Sequence, residues 1–201
     1  MSDADFEKAM AGFEPPTDVG LAQMRFIDVE ASGLHATSYP IEIAWCGLDL
    51  QPVSMLIRPL PYWGEADWNP EAERIHGISR EKLVREGHDP RECAEAMAKA
   101  LQGCFSFSDA PEFDARWLNR LFGDTGVFPG FGLRHLSLAH MLCARRSDPP
   151  IGSWQEMDES LQAVNMRYLH THRAGDDCLR MAAQCRALAD SAWRAKAGKA
   201  A

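Results

Sequence analysis

The sequence predicts a mixed α/β fold with a central sheet of about five strands flanked by helices. Three observations predict it. Three short runs rich in branched and aromatic residues follow one another between residues 24 and 58. Their connections are only a few residues long, which suits antiparallel neighbours rather than crossovers. From residue 70 onward apolar residues recur at helical spacing, interrupted by two further strand-like runs near 104–108 and 133–136.

Residues 1–23 read as an acidic lead-in, because Pro15 and Pro16 stop any helix that Phe6 to Met10 begins, and one domain then runs from 24 to 201. Met24 to Glu30, Ile41 to Leu48 and Val53 to Arg58 are the first three strands, and they form a meander. Gly33 and Pro40 bound the first connection, and Asp49 to Pro52 make the second. Helical character follows over Pro70–His76, Arg80–Glu86 and Arg91–Gln102, the last with Cys93, Ala94, Met97, Ala98 and Leu101 on one face. Cys104 to Ser108 returns to strand. Asp109, with Glu112 three residues on, has the form of a capping box and opens a helix carrying Phe113, Trp117, Leu118 and Leu121. Gly123 to Gly132 is a turn-rich loop, Leu133 to Leu136 a short strand, and a helix runs on to about Arg145. After a loop over Ser147–Gly152, Ser160 to Tyr168 is helical, and one long helix extends from Arg173 to about Lys196, with Cys178, Met181, Ala182, Cys185, Ala189 and Ala192 on its inner stripe.

Composition narrows the function classes. The 201 residues are 46% hydrophobic and 25% charged, ordinary for a globular protein, and no run reaches the ~18 apolar residues of a membrane span. With no apolar leader segment either, the cytoplasm is the expected compartment. A net charge of −8 excludes a broad basic footprint for wrapping duplex nucleic acid. It leaves room for an enzyme that grips only the last few nucleotides of a strand. The six cysteines form no CxxC pair, which argues against a zinc knuckle and for reduced thiols.

The residues that carry chemistry are acidic. Asp28 and Glu30 stand two apart in a strand, so both side chains leave the same face while Ile27 and Val29 leave the other. Two carboxylates on one face suit a hard cation such as Mg²⁺ or Mn²⁺, and Ala31-Ser32-Gly33 after them lets backbone approach a ligand. For a lone D-x-E, a solvated strand end is much the simpler reading. Asp114, in the amphipathic run PEFDARWLNRLF, reads by itself as a carboxylate serving the helix dipole. His172 lies in the turn before the last long helix and Asp177 in its first turns, with small Ala174 and Gly175 between them. Alone, that histidine reads as a surface or capping residue.

Taken together, and in this order, the segments resemble the DEDDh, or DnaQ-like, 3′–5′ exonucleases. The matching strings are D-x-E-x-x-G-L from Asp28 to Leu34, F-D-x-x-x-L from Phe113 to Leu118, and H-x-A-x-x-D from His172 to Asp177. A linking passage, Asn69-Pro70-Glu71 and then Ile75-His76-Gly77-Ile78-Ser79, also resembles the family. The resemblance covers about Met24 to Leu188 and implies a ribonuclease H-like fold. It further implies that Asp28, Glu30, Asp114 and Asp177 hold two Mg²⁺ or Mn²⁺ ions. His172 would be the general base, since imidazole titrates near neutrality. The implied reaction is hydrolysis at the 3′ end of single-stranded DNA or RNA, releasing 5′-mononucleotides. Ala31, Ser32 and Leu34 would touch the terminal nucleotide, with Leu34 as an apolar wedge against a base. His76 either lines the same pocket or caps the helix before Gly77. Asp176 falls outside the H-x-A-x-x-D register. The chain departs from the family at Ser108-Asp109-Ala110, where many members have H-N-A, and at Ala31, where threonine is frequent. A non-catalytic nucleic-acid or protein-binding module on the same fold is the alternative. A homodimer and a polymerase-associated subunit are both open as assemblies, and Trp63 and Trp68 belong to an interface or to the core.

Overall fold

Strand β1 (Met24–Ala31) is the spine of the molecule. A computed structural model describes residues 19–197, so the proline stop at Pro15-Pro16 and residues 198–201 lie outside the described residues. Alternation along β1 divides the interior in two. Met24 and Phe26 join one apolar cluster, while Ile27, Val29 and Ala31 join another on the opposite face of the sheet. Strand β2 (Pro40–Cys46), buried throughout, pairs antiparallel with β1, and β3 (Val53–Leu56) pairs antiparallel with β2. On the other side of β1, β4 (Phe105–Ser108) and β5 (Leu133–His135) run parallel to it in turn. The order β3-β2-β1-β4-β5 is a ribonuclease H-like mixed sheet of five strands.

Helices cover both faces. Helix α1 (Pro70–His76), α2 (Arg80–Glu86), α3 (Pro90–Leu101) and α4 (Pro111–Thr125) belong to the side of Ile27 and Val29, where Leu83, Met97, Leu118 and Leu121 are buried. Helix α5 (Leu136–Arg146), α6 (Trp154–Arg167) and α7 (Ala174–Ala189) cover the side of Met24 and Phe26, through Leu142, Met157, Cys178, Met181 and Cys185. A short helix α8 (Ser191–Ala197) ends the described chain.

Besides shorter shifts, such as β3 ending at Leu56 and α4 running past Gly123 to Thr125, three departures from the sequence expectation have a local reason. The helix expected to run from Arg173 to Lys196 breaks at Asp190, whose carboxylate accepts the Trp193 N–H at 2.9 Å and so caps a new helix. Asp109 does not open a capping box. Pro111 occupies the first turn, Ala110 becomes the cap residue with no side-chain cap, and Asp109 pairs with Arg180 at 3.1 Å. Helix α6 begins at Trp154 rather than near Ser160, because the Ser153 hydroxyl accepts the Glu156 N–H at 3.1 Å. All six cysteines are free, and five of them are buried. Trp63 is fully buried and stacked on Tyr39, with ring centroids 5.1 Å apart, which assigns it to the core. Among the described residues no helix is long and apolar enough to cross a membrane.

Candidate metal centre and adjoining cleft

Asp28 and Glu30 leave β1 on the face of Met24 and Phe26, beneath the start of α7. The strand register shifts between Glu30 and Ala31, turning the chain directly after the acidic pair. Asp177 projects from the first turn of α7, where the positive end of the helix dipole favours a carboxylate. The result is a convergence: Asp28, Glu30 and Asp177 bring carboxylate oxygens within 4.8 Å of one another.

The surroundings balance that charge only in part: Arg180 Nε stands 3.7 Å from Asp177 Oδ1, and Asp28 and Glu30 stay raised. Burial first, then the charges of Asp114, Glu30 and Asp177, push Asp28 well above the usual carboxylate range. Glu30 is pushed up to about 7 by burial, then by Asp177 and Glu42, with Arg173 opposing. Asp177 is raised by burial, against the pull of His170 and Arg180. Its Oδ1 accepts the Thr171 N–H at 3.3 Å, while its Oδ2 has no hydrogen bond and faces His170 Nε2 at 3.4 Å.

Asp114 stands beside this trio rather than within it. It is buried on α4, and its Oδ2 accepts the Ser108 hydroxyl. Burial raises it to about 7, against hydrogen bonds from Ser108 and the Val29 backbone. Ser108 also accepts the Ala110 N–H at 3.0 Å, so it links the end of β4 to the start of α4.

His172 occupies the turn before α7 in a left-handed conformation, φ 55°, which few residues other than glycine adopt. The turn is tied on both sides. Thr171 donates to Asp177 through its backbone and to Asp176 through its hydroxyl, at 2.9 Å for the latter. Beyond the histidine, Arg173 donates twice to Glu42, at 3.0 and 2.8 Å, and the Ala174 N–H donates to the same carboxylate at 3.1 Å. His170 lies against His172 with ring centroids 4.1 Å apart.

Next to the acids opens a cleft of about 260 Å³, bounded by Glu30, Ala31, Leu34, His76, Trp117 and His172 among others. Leu34 stands at its mouth, 67% exposed. Ser32 does not reach it. That hydroxyl is used internally, donating to the Asp67 carbonyl at 2.8 Å and accepting the Tyr39 N–H at 3.1 Å. His76 fastens a turn and also borders the cleft. Its Nδ1 accepts the Ile78 N–H at 3.1 Å, fastening the turn at Gly77, and its ring lines the cleft, where burial lowers its pKa to about 4. The Asn69 to Ser79 passage is helix punctuation that builds this wall. Asn69 caps α1 ahead of Pro70, Gly77 ends α1 at φ 67°, and Ser79 caps α2.

Glu30, Ala31, Leu34, His76 and His172 thus line one cleft, and Asp28 and Asp177 converge on Glu30 behind it, with Asp114 acting on Asp28. Sequence reasoning missed Ser108, His170, Arg180 and the Glu42–Arg173 pair. Ser108 stands out in the sequence only as a departure from H-N-A, Arg173 only as a variable position of H-x-A-x-x-D, and His170 only as the first histidine of His170-Thr171-His172.

The chain matches no family model and no curated protein sequence. Its fold does have solved neighbours. Exonuclease I of E. coli, in a zinc-bound complex with single-stranded DNA, superposes with a TM-score of 0.59 and 15% identity over 81% of this chain and 39% of that one. Exonuclease I of Methylocaldum szegediense gives a TM-score of 0.57 at 18% identity, over 81% of this chain and 39% of its own. The chain therefore spans about two fifths of the length of these neighbours, and at such identity the likeness shows the fold.

Proposed function

We propose that the chain is a metal-dependent 3′–5′ exonuclease of the DEDDh type, hydrolysing the terminal phosphodiester of single-stranded DNA or RNA and releasing 5′-mononucleotides. The observation that carries this reading is the convergence of Asp28, Glu30 and Asp177 within 4.8 Å, drawn from a strand and a helix far apart in sequence. The residues suit divalent cations. They offer hard oxygen donors, crowded and only partly offset by Arg180 and Arg173, and one of them, Asp177 Oδ2, has no hydrogen bond of its own. Bound between these carboxylates and Asp114, two Mg²⁺ or Mn²⁺ ions would supply Lewis acidity at the scissile phosphate.

The protein's own groups do the rest. His172, at the cleft edge beside Glu30, takes the proton of the attacking water as the bond from phosphorus to the preceding 3′ oxygen breaks, and that oxygen leaves as a 3′-hydroxyl with a proton from solvent. Asp114, held by Ser108, completes the acidic ring from the α4 side. Ala31, Leu34 and His76 border the space for the terminal nucleoside, and Leu34 offers an apolar surface to its base. The single-stranded DNA bound by the E. coli neighbour supports DNA as the first substrate to test.

Purified protein incubated with 3′-labelled single-stranded DNA and RNA, in Mg²⁺, Mn²⁺ or EDTA, tests the proposal. Stepwise loss of the terminal nucleotide that EDTA abolishes is expected. Absence of cleavage on both polymers in both metals would mean that the fold serves as a non-catalytic binding module.

A further inference from the structure

Glu42 stands on the same sheet face as the candidate metal ligands, directly across the β1–β2 register from Glu30. It is 2% exposed, yet it is closed to any cation. Arg173 Nε and Nη2, the Ala174 N–H at 3.1 Å and the Ser54 hydroxyl at 2.7 Å all donate to its two oxygens. Three of these donors belong to the two residues that follow His172. A second contact brings the same helix start against the sheet: a Cβ built on Gly175 would lie 3.2 Å from Ser54 Cβ, so glycine permits the close approach.

We propose that Glu42 is a positioning residue, which through Arg173 and Ala174 pins the start of α7 to β2 and so fixes where His172 stands relative to Asp177. The inference rests on the nuclease reading and adds a residue that lies outside the D-x-E, F-D and H-x-A-x-x-D strings. Its physical basis is the conformation of His172. A non-glycine residue at φ 55° persists only where its neighbours over-determine it. Here Asp176 and Asp177 hold the residue before it, and Glu42 holds the two residues after it. The planar guanidinium of Arg173 supplies a paired grip, which a single ammonium does not reproduce. Asp177 depends on Glu42 less, because α7 is also anchored by buried Cys178, Met181 and Cys185. Loss of Glu42 therefore displaces the base more than the metal ligands.

The test compares Glu42→Gln, Arg173→Lys and Gly175→Ala with wild type. The first weakens the paired grip, the second keeps the charge without the fork, and the third pushes the helix start away while leaving every charge in place. Measured on a 3′-labelled oligonucleotide, kcat should fall about 10-fold or more in Glu42→Gln and Gly175→Ala, with Mn²⁺ affinity near wild type. Arg173→Lys should retain more activity than Arg173→Ala. A wild-type kcat in Glu42→Gln would overturn the inference, even if its melting temperature had dropped. A readout free of activity separates the two claims. In Glu42→Gln the imidazole NMR signals of His172 should shift and the Ala174 amide should exchange faster; unchanged signals and exchange would sink the positioning role. Failure of the wild-type protein to cleave any strand would sink the nuclease reading instead.

Discussion

Glu30 and Glu42 face each other across the β1–β2 register on the same side of the sheet, and their charges have opposite fates. Burial opposes ionisation of both. For Glu42, hydrogen bonds from Arg173, Ser54 and Ala174 overcome that penalty and hold it below the ordinary glutamate range. Glu30 has no such set of donors and is pushed up to about 7. One acid of the pair serves the scaffold, and the other is left wanting a cation.

Removing one carboxylate of the trio should separate activity from folding. Asp28→Asn is expected to lower turnover by at least about 10²-fold, through loss of metal-based charge stabilisation. The same variant should melt at a higher temperature than wild type in EDTA, since it relieves repulsion with Asp114, Glu30 and Asp177. Activity assays and a thermal melt check both outcomes. Turnover near wild type would remove Asp28 from the ligand set.

Stability should depend on pH in a direction set by the acids. Glu30 and Asp114 sit at about 7 in the fold, and Asp28 and Asp177 are also raised, so the folded protein holds protons that the unfolded chain has released. Their stabilising contribution is complete below about pH 4 and is lost as pH rises through about 7. His76 and His140, lowered to about 4 by burial, act oppositely and cost stability as pH falls below about 6.5. The histidines are silent above that pH. In EDTA, the melting temperature should therefore fall as pH rises from about 6.5 through the acids' range. Mg²⁺ should flatten the fall. A melting temperature indifferent to both pH and metal would show that the carboxylates do not act as a cation-binding cluster.

Two histidines share the rim of the site, and mutation distinguishes them. His172→Ala should lower kcat by roughly 10²- to 10⁴-fold with Mn²⁺ binding retained. His170→Ala should cost far less, since His170 is half exposed and its role is to face Asp177. Single-turnover rates with Mn²⁺ titrations read both effects. The reverse order would assign the base to His170, and a loss of metal affinity in His172→Ala would make that residue a ligand.

Leu34 offers a test of the cleft. At 67% exposure its replacement should hardly touch stability, within about 0.5 kcal/mol. Leu34→Ser should raise KM for an oligonucleotide by about fivefold or more, by removing the apolar surface under the terminal base. Unchanged KM would move the nucleoside elsewhere.

Helices α1 and α2 are legible to the residue because their punctuation is local: Asn69-Pro70 opens α1, Gly77 closes it and Ser79 opens α2. The shared face of Asp28 and Glu30 follows from strand alternation alone. The break at Asp190 is hidden, since the small apolar stripe continues across it into Ala192. The start of α6 does carry a signal, serine followed three residues later by glutamate at Ser153 and Glu156, but the apolar run further on dominates the pattern. Glu42 and Arg173 lie beyond local reading altogether. They are 131 positions apart, and neither is unusual until the sheet and the helix meet.

The left-handed turn at His172 sets this residue mechanically apart from the acids. Asp28 and Glu30 are rooted in a central strand and Asp177 in a packed helix, whereas the histidine hangs from a backbone angle that glycine occupies without strain. The imidazole ring is thus separable from the frame of the acids. His172→Gly should therefore leave the frame that holds the acids intact, with a melting temperature at or above wild type as the check.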